Sequence, residues 1–137
     1  MAHSPLSVLV VEDEPLVRIV VVEELELLGF VVAEADSASG ARRIFERGRE
    51  MTAAVIDVGL PDARGDELAR EIRTHWPHAA IVLVSGYDEE TLRQLLTGYD
   101  RIGFLSKPYM ASDLVAVLGR FGIHATVPTA SSTRPAF

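Results

Sequence analysis

Five short runs of β-branched and other apolar residues recur along this chain, and a helix-length stretch follows each of them. The runs are SVLVV (7–11), FVVAEA (30–35), TAAVID (52–57), AAIVLVS (79–85) and RIGFLS (101–106). Apolar runs of this length read as buried strands. Strict alternation of strand and helix implies a parallel sheet with helices on both faces, because each crossover lays a helix against the sheet. The intervening stretches carry helix punctuation. Pro15 stands where a first helical position falls, and Gly29 where a helix would stop. These signals and the length between them favour a helix although IVVV inside it has strand propensity. Ser37 and Asp88 are placed to cap the second and fourth helices. Apolar residues recur at helical spacing in three later stretches: Leu68, Ala69, Ile72 and Trp76; Leu92, Leu95 and Leu96; Leu114, Val115, Leu118 and Phe121.

At 137 residues the chain is the size of one domain with one real core. Without cysteine it has no disulfides, thiolate zinc sites or cysteine nucleophiles. A net charge of −7, with Lys107 the single lysine, argues against a general nucleic-acid surface. MAHSPLS has no secretory pattern, and no apolar run nears the ~20 residues of a membrane span. A cytoplasmic location with no membrane partner is therefore expected. After Gly122 the chain becomes IHATVPTASSTRPAF, a Ser/Thr/Pro-rich composition. The expected organisation is one domain over 1–122 and a flexible tail over 123–137, with no output module attached.

In open α/β sheets, ligands bind beyond the carboxyl ends of the strands. The first strand runs into Glu12, Asp13 and Glu14, the third ends at Asp57, the fourth at Ser85 and Gly86, and the fifth at Ser106, Lys107 and Pro108. The second ends in nothing chemically notable. One rim thus gathers carboxylates, a hydroxyl and an ammonium. Crowded carboxylates repel, and a hard divalent cation such as Mg²⁺ relieves them. Lys107 and Ser85 could each hold a phosphoryl oxygen, while Asp57 could act as a nucleophile and form an acyl phosphate. The four histidines have no ligand spacing, and Gly59 to Gly65 lacks the Lys-Ser or Lys-Thr of a nucleotide loop. Glu14 reads as a solvated helix-start residue, and Arg42, Arg43, Arg47 and Arg49 as a solvated helix face.

VLVVEDEPLVR, AVIDVGLPDARGDEL, IVLVSGY and GFLSKPY resemble, in content, order and spacing over roughly residues 6–122, the receiver domain of two-component response regulators. The resemblance implies a flavodoxin-like doubly wound fold with a five-stranded parallel sheet of order 2-1-3-4-5. It implies that Asp57 is the phosphoacceptor. Glu12 and Asp13 would be the acidic pair, with Asp13 the more direct metal ligand, and the Gly59 carbonyl would complete the Mg²⁺ shell. Ser85 would be the switch hydroxyl, Lys107 the phosphate-binding lysine and Phe104 the aromatic that changes rotamer. Pro108 would follow a cis bond.

The implied partners are a histidine kinase or phosphotransfer protein upstream, and downstream a protein partner or homodimer. The readout face would be the fourth helix, fifth strand and fifth helix, with Leu92, Arg93, Leu96, Tyr99, Arg101 and Tyr109 as contacts. Such a chain catalyses only its own phosphorylation and dephosphorylation.

The sequence departs from the family pattern at Arg64, where an acid often precedes the glycine, at the small Gly59 and at the bulky Tyr87. Tyr87 is expected to shield the aspartyl phosphate partly from water, while Gly59 leaves the other side open. A phosphate sink and a phosphorylation-independent binding module are alternatives. An Asp-nucleophile phosphatase is disfavoured, because the Asp-x-Asp it needs after the first strand is Asp13-Glu14-Pro15 here.

Overall fold

The computed structural model describes residues 6–86 and 89–125. Ten elements alternate along them: β1 (Ser7–Val11), α1 (Pro15–Leu27), β2 (Val31–Ala35), α2 (Ala38–Phe45), β3 (Ala53–Asp57), α3 (Gly65–His75), β4 (Ala80–Ser85), α4 (Glu89–Leu95), β5 (Ile102–Ser106) and α5 (Ala111–Arg120). All strand pairs are parallel, as the alternation of strand and helix predicts, and the sheet order is β2-β1-β3-β4-β5, as the family resemblance implies. Side chains alternate across a strand, so the sheet feeds two cores. Leu9, Val11, Ala54, Ile56, Ile81 and Leu83 pack with α2 and α3 on one face. Val8, Val10, Val55, Val82 and Val84 pack with α1 and α5 on the other.

The helix ends follow from local chemistry. α1 has Pro15 in its first turn and stops at Gly29, which takes φ 94. There the N–H groups of Gly29 and Phe30 return to the carbonyls of Glu26 and Leu25, the bond pair that closes a helix through a left-handed glycine. α5 ends in the same way, with Gly122 at φ 80 and Ile123 bonded back to Leu118. Ile123 is buried and Ala125 packs partly against the same core, so the packed chain runs beyond the glycine. The Ser37 hydroxyl accepts from Gly40 N–H and caps α2. Asp88, expected to cap α4, lies outside the described residues, as do Tyr87 and residues 126–137.

The expected faces hold in part. Leu68, Ala69, Ile72 and Trp76 are all buried. Of the α4 set, Leu92 and Leu96 are buried but Leu95 is 40% exposed. In α5 Leu114 and Leu118 are buried together with Val117, whereas Val115 and Phe121 are only half-buried. In α1 the core face is Val21, Val22 and Leu25, and Leu16, Ile19, Val20 and Leu27 face outward. Arg42 does not simply face solvent. Its guanidinium makes a two-bond pair with Glu71 of α3, at 2.8 and 2.9 Å. Among the described residues, no helix is long and apolar enough to cross a membrane.

Candidate functional site

Strand register builds the site. Val11 of β1 pairs with Ile56 of β3, so the next residues, Glu12 and Asp57, emerge side by side. The chain passes from β1 to β2 on one side and returns to β3 on the other, so this is the point where strand order reverses. Asp57 pairs with Val84, and Ser85 pairs with Ser106. The Lys107 N–H donates to the Ser85 carbonyl at 2.9 Å and carries the lysine over the rim. The result is an open cleft of about 420 Å³ lined by Asp13, Asp57, Gly59, Ser85, Gly86 and Lys107.

Asp57 is 5% exposed and held at both oxygens. Oδ1 accepts from Gly59 N–H at 3.1 Å, and Oδ2 lies 3.1 Å from Lys107 Nζ. Burial works to raise this carboxyl, but the Gly59 N–H and the Lys107 ammonium outweigh it and hold Asp57 below its ordinary value. Burial likewise opposes the Lys107 charge, and Asp57 more than restores it, so the lysine is raised. Glu12 is 2% exposed, and its Oε2 accepts from Glu14 N–H at 3.1 Å. Burial, reinforced by the Asp57 charge, pushes Glu12 up to about 7 against the pull of that N–H.

Glu12, Asp13 and Asp57 each offer a carboxylate oxygen within 4.8 Å of the others. Such a set is short of positive charge and suits a hard divalent cation. Asp13 itself is exposed, and Glu14 is the solvated residue at the start of α1.

The remaining expected residues fall in two places. Ser85 is buried at the rim. The Lys107–Pro108 peptide bond is cis. Phe104 is not in the cleft. It packs partly against the α2–α3 core, with the Arg93 guanidinium 4.6 Å from its ring centre. Leu92 and Leu96 are buried and so cannot be surface contacts. Tyr109 is half-buried on the α1 side, sharing a cavity with Glu14, Val17 and Pro108. Tyr87 and its shielding role lie outside the described residues.

Sequence reasoning missed Asp66, which is buried and paired with Arg64 and Arg70 at 2.8 and 3.1 Å. The unusual Arg64 thus has a partner two residues on.

The family model for the response regulator receiver domain matches residues 8–119. The chain belongs to this family. Receiver domains serve two-component signalling as phosphoacceptors. The chain is 37% identical over 113 residues to the sensor kinase CckA of Brucella abortus, covering 82% of this chain and 12% of that protein. It is similar to the solved receiver domain of the hybrid histidine kinase CckA, at 27% identity and TM-score 0.71, covering 84% of this chain and 97% of that one. The chemotaxis response regulator CheY4 of Vibrio cholerae shares the fold at 22% identity and TM-score 0.77, with 86% and 99% covered. The chain spans 53% of the Mycobacterium tuberculosis regulator TcrX and 56% of the Rhodobacter capsulatus protein PetR, so it is shorter than these curated relatives.

Gly65 shows how tightly this receiver's site is built. A Cβ added there would lie 2.6 Å from Val58 Cα and 3.2 Å from the Asp57 carbonyl. Both are backbone atoms and cannot swing away. Gly65→Ala is therefore expected to cost about 1–3 kcal/mol by overpacking. Chemical denaturation measures that cost directly.

Proposed function

We propose that this receiver takes a phosphoryl group from the histidine of a kinase or phosphotransfer protein onto Asp57. The observation that carries the proposal is the pairing of Asp57 Oδ2 with Lys107 Nζ at 3.1 Å beside three clustered carboxylates. Glu12, Asp13, Asp57 and the Gly59 carbonyl would hold Mg²⁺, which when bound would offset charge on the transferring group. An Asp57 carboxylate oxygen attacks phosphorus, the P–N bond to the donor histidine breaks, and its electron pair returns to the imidazole. Lys107 and Ser85 bind phosphoryl oxygens from the opposite strands. Asp57, held ionised, is ready to attack at neutral pH. The catalysis extends only to the chain's own phosphorylation and its reversal. The protein works in the cytoplasm.

Readout follows from differential contacts in two states. An inward turn of Phe104 would break its stacking under Arg93 and change the α4–β5–α5 face, where Leu95 and Tyr99 are each 40% exposed. A downstream protein or a second copy of the chain would bind that altered face.

The test is intact mass after incubation with acetyl phosphate and Mg²⁺. Wild type is expected to gain ~80 Da and Asp57→Asn to gain nothing. Failure of both acetyl phosphate and a phosphorylated kinase to label wild type would leave the binding-module alternative.

The charge state of Glu12 adds a pH signature. In the unfolded chain this carboxyl titrates near 4.5, whereas in the folded, metal-free protein it keeps its proton up to about 7. The folded state binds the extra proton between those values. Metal-free stability is thus expected to fall as pH rises from 4.5 to about 7. Cation binding needs the carboxylate, so Mg²⁺ affinity should weaken below about pH 7, by up to roughly tenfold per unit. Titration calorimetry on both sides of that pH checks it, and a flat profile would rule out Glu12 as the controlling proton.

A further inference from the structure

β2 gives no side chain to the cleft, yet its C-terminal corner touches both loops that carry the clustered carboxylates. On the β1–α1 side, Glu12 N–H donates to the Ala35 carbonyl at 3.0 Å. Arg18 Nη1 donates to the Glu12 carbonyl at 2.8 Å, and Arg18 Nε to Glu34 Oε1 at 3.1 Å. The backbone of Glu12 is thus gripped at both its N–H and its C=O by groups anchored at the end of β2. On the β3–α3 side, Asp62 reaches out of the loop that follows Asp57. Its two carboxylate oxygens accept from the Ala38 and Ser39 N–H groups at the start of α2, at 2.8 and 2.9 Å. One carboxylate spans two donors, which fixes the loop in direction as well as distance.

A cluster of acids disperses unless its backbone is held, because the charges repel. The two loops meet across the cleft, and both are tied to residues 34–39. We propose that Arg18 and Asp62 are positioning residues for the cation cradle, bracing its two loops against the β2–α2 corner. This rests on the reading that Glu12, Asp13 and Asp57 hold a divalent cation. Neither Arg18 nor Asp62 touches it. Their effect runs through the Glu12 backbone and through the loop bearing Gly59.

Mg²⁺ titration calorimetry on the full chain, paired with thermal unfolding of the same samples, separates positioning from simple stabilisation. Arg18→Ala and Asp62→Ala are each expected to weaken Mg²⁺ binding about tenfold, the scale for losing a group that orients metal ligands. Arg18→Lys and Asp62→Asn keep one donor or acceptor and are expected to weaken binding about threefold, an intermediate loss that carries the test if the alanine variants do not fold. Arg73→Ala removes the bonds from its guanidinium to the carbonyls of Trp76, Ala79 and Asp100, at the end of the sheet away from the cleft. It is expected to lower the melting temperature and leave Mg²⁺ affinity unchanged. Arg18 and Asp62 variants that lose thermal stability but bind Mg²⁺ like wild type would overturn the proposal. A wild-type chain that binds no Mg²⁺ would overturn the cation reading itself, a separate result.

Discussion

Lys107→Ala is expected to slow acetyl phosphate labelling of Asp57 by about 10²–10³-fold, the scale for removing one preorganised group that meets developing charge. The ammonium sits 3.1 Å from Asp57 Oδ2, with the aspartate 5% exposed and the lysine side chain 35% exposed, so solvent screens the pair only in part. The same substitution removes a positive charge that competes with a metal cation for the carboxylates. Mg²⁺ binding is therefore expected to hold or tighten while the labelling rate collapses. That split distinguishes the loss of a phosphoryl-binding group from damage to the fold, which would weaken both. Equal labelling rates in the variant and wild type would remove Lys107 from the mechanism.

Trp76→Ala carries the largest expected effect on stability, a loss of about 3–5 kcal/mol. The ring is 1% exposed and sits edge-on to Phe45, with centres 6.2 Å apart. It fills the space where α3 turns back to the sheet, and a truncation there leaves a cavity that the surrounding strands cannot collapse. Its indole N–H has no hydrogen-bond partner among the described residues. Trp76→Phe gives up no polar contact but leaves a smaller cavity, and is expected to cost about 1–2 kcal/mol, well short of the alanine variant. Urea unfolding of the two variants measures the difference. A Trp76→Ala protein as stable as wild type would contradict the packing.

The fold was legible because punctuation and segment length decided the one place where propensity conflicted, IVVV inside α1. Apolar runs marked the strands, Pro15 and Gly29 bracketed the first helix, and the polar residues stood at strand ends. The cleft was legible for the same reason: a residue just past a parallel strand has only one rim to occupy. What resisted reading was anything set by which neighbour a side chain meets. Spacing put Leu95 with Leu92 and Leu96, but a helix of seven residues against β5 buries a narrower stripe. Arg42 looked solvated because its partner Glu71 is 29 residues away. Arg73 is another such case. Its guanidinium donates to the carbonyls of Trp76, Ala79, Asp100 and Arg101 and stitches the far end of the sheet, with no local pattern to announce it. The end of β2 seemed empty since bonds to backbone groups leave no trace in residue type.

Chain order has a further consequence for how the sheet comes together. All three clustered acids come with the first half of the chain, Glu12 and Asp13 just past β1 and Asp57 at the end of β3, whereas Lys107 follows β5. Without a bound cation, a half-built sheet of β1, β2 and β3 thus carries mutual repulsion that the arrival of Lys107 offsets. The Asp57–Lys107 pair reaches across β4, between strands that do not touch in the sheet. Electrostatic relief therefore rewards completion of the sheet and penalises any state in which its C-terminal edge has peeled away, so the chemistry of the rim also makes folding more nearly all-or-none.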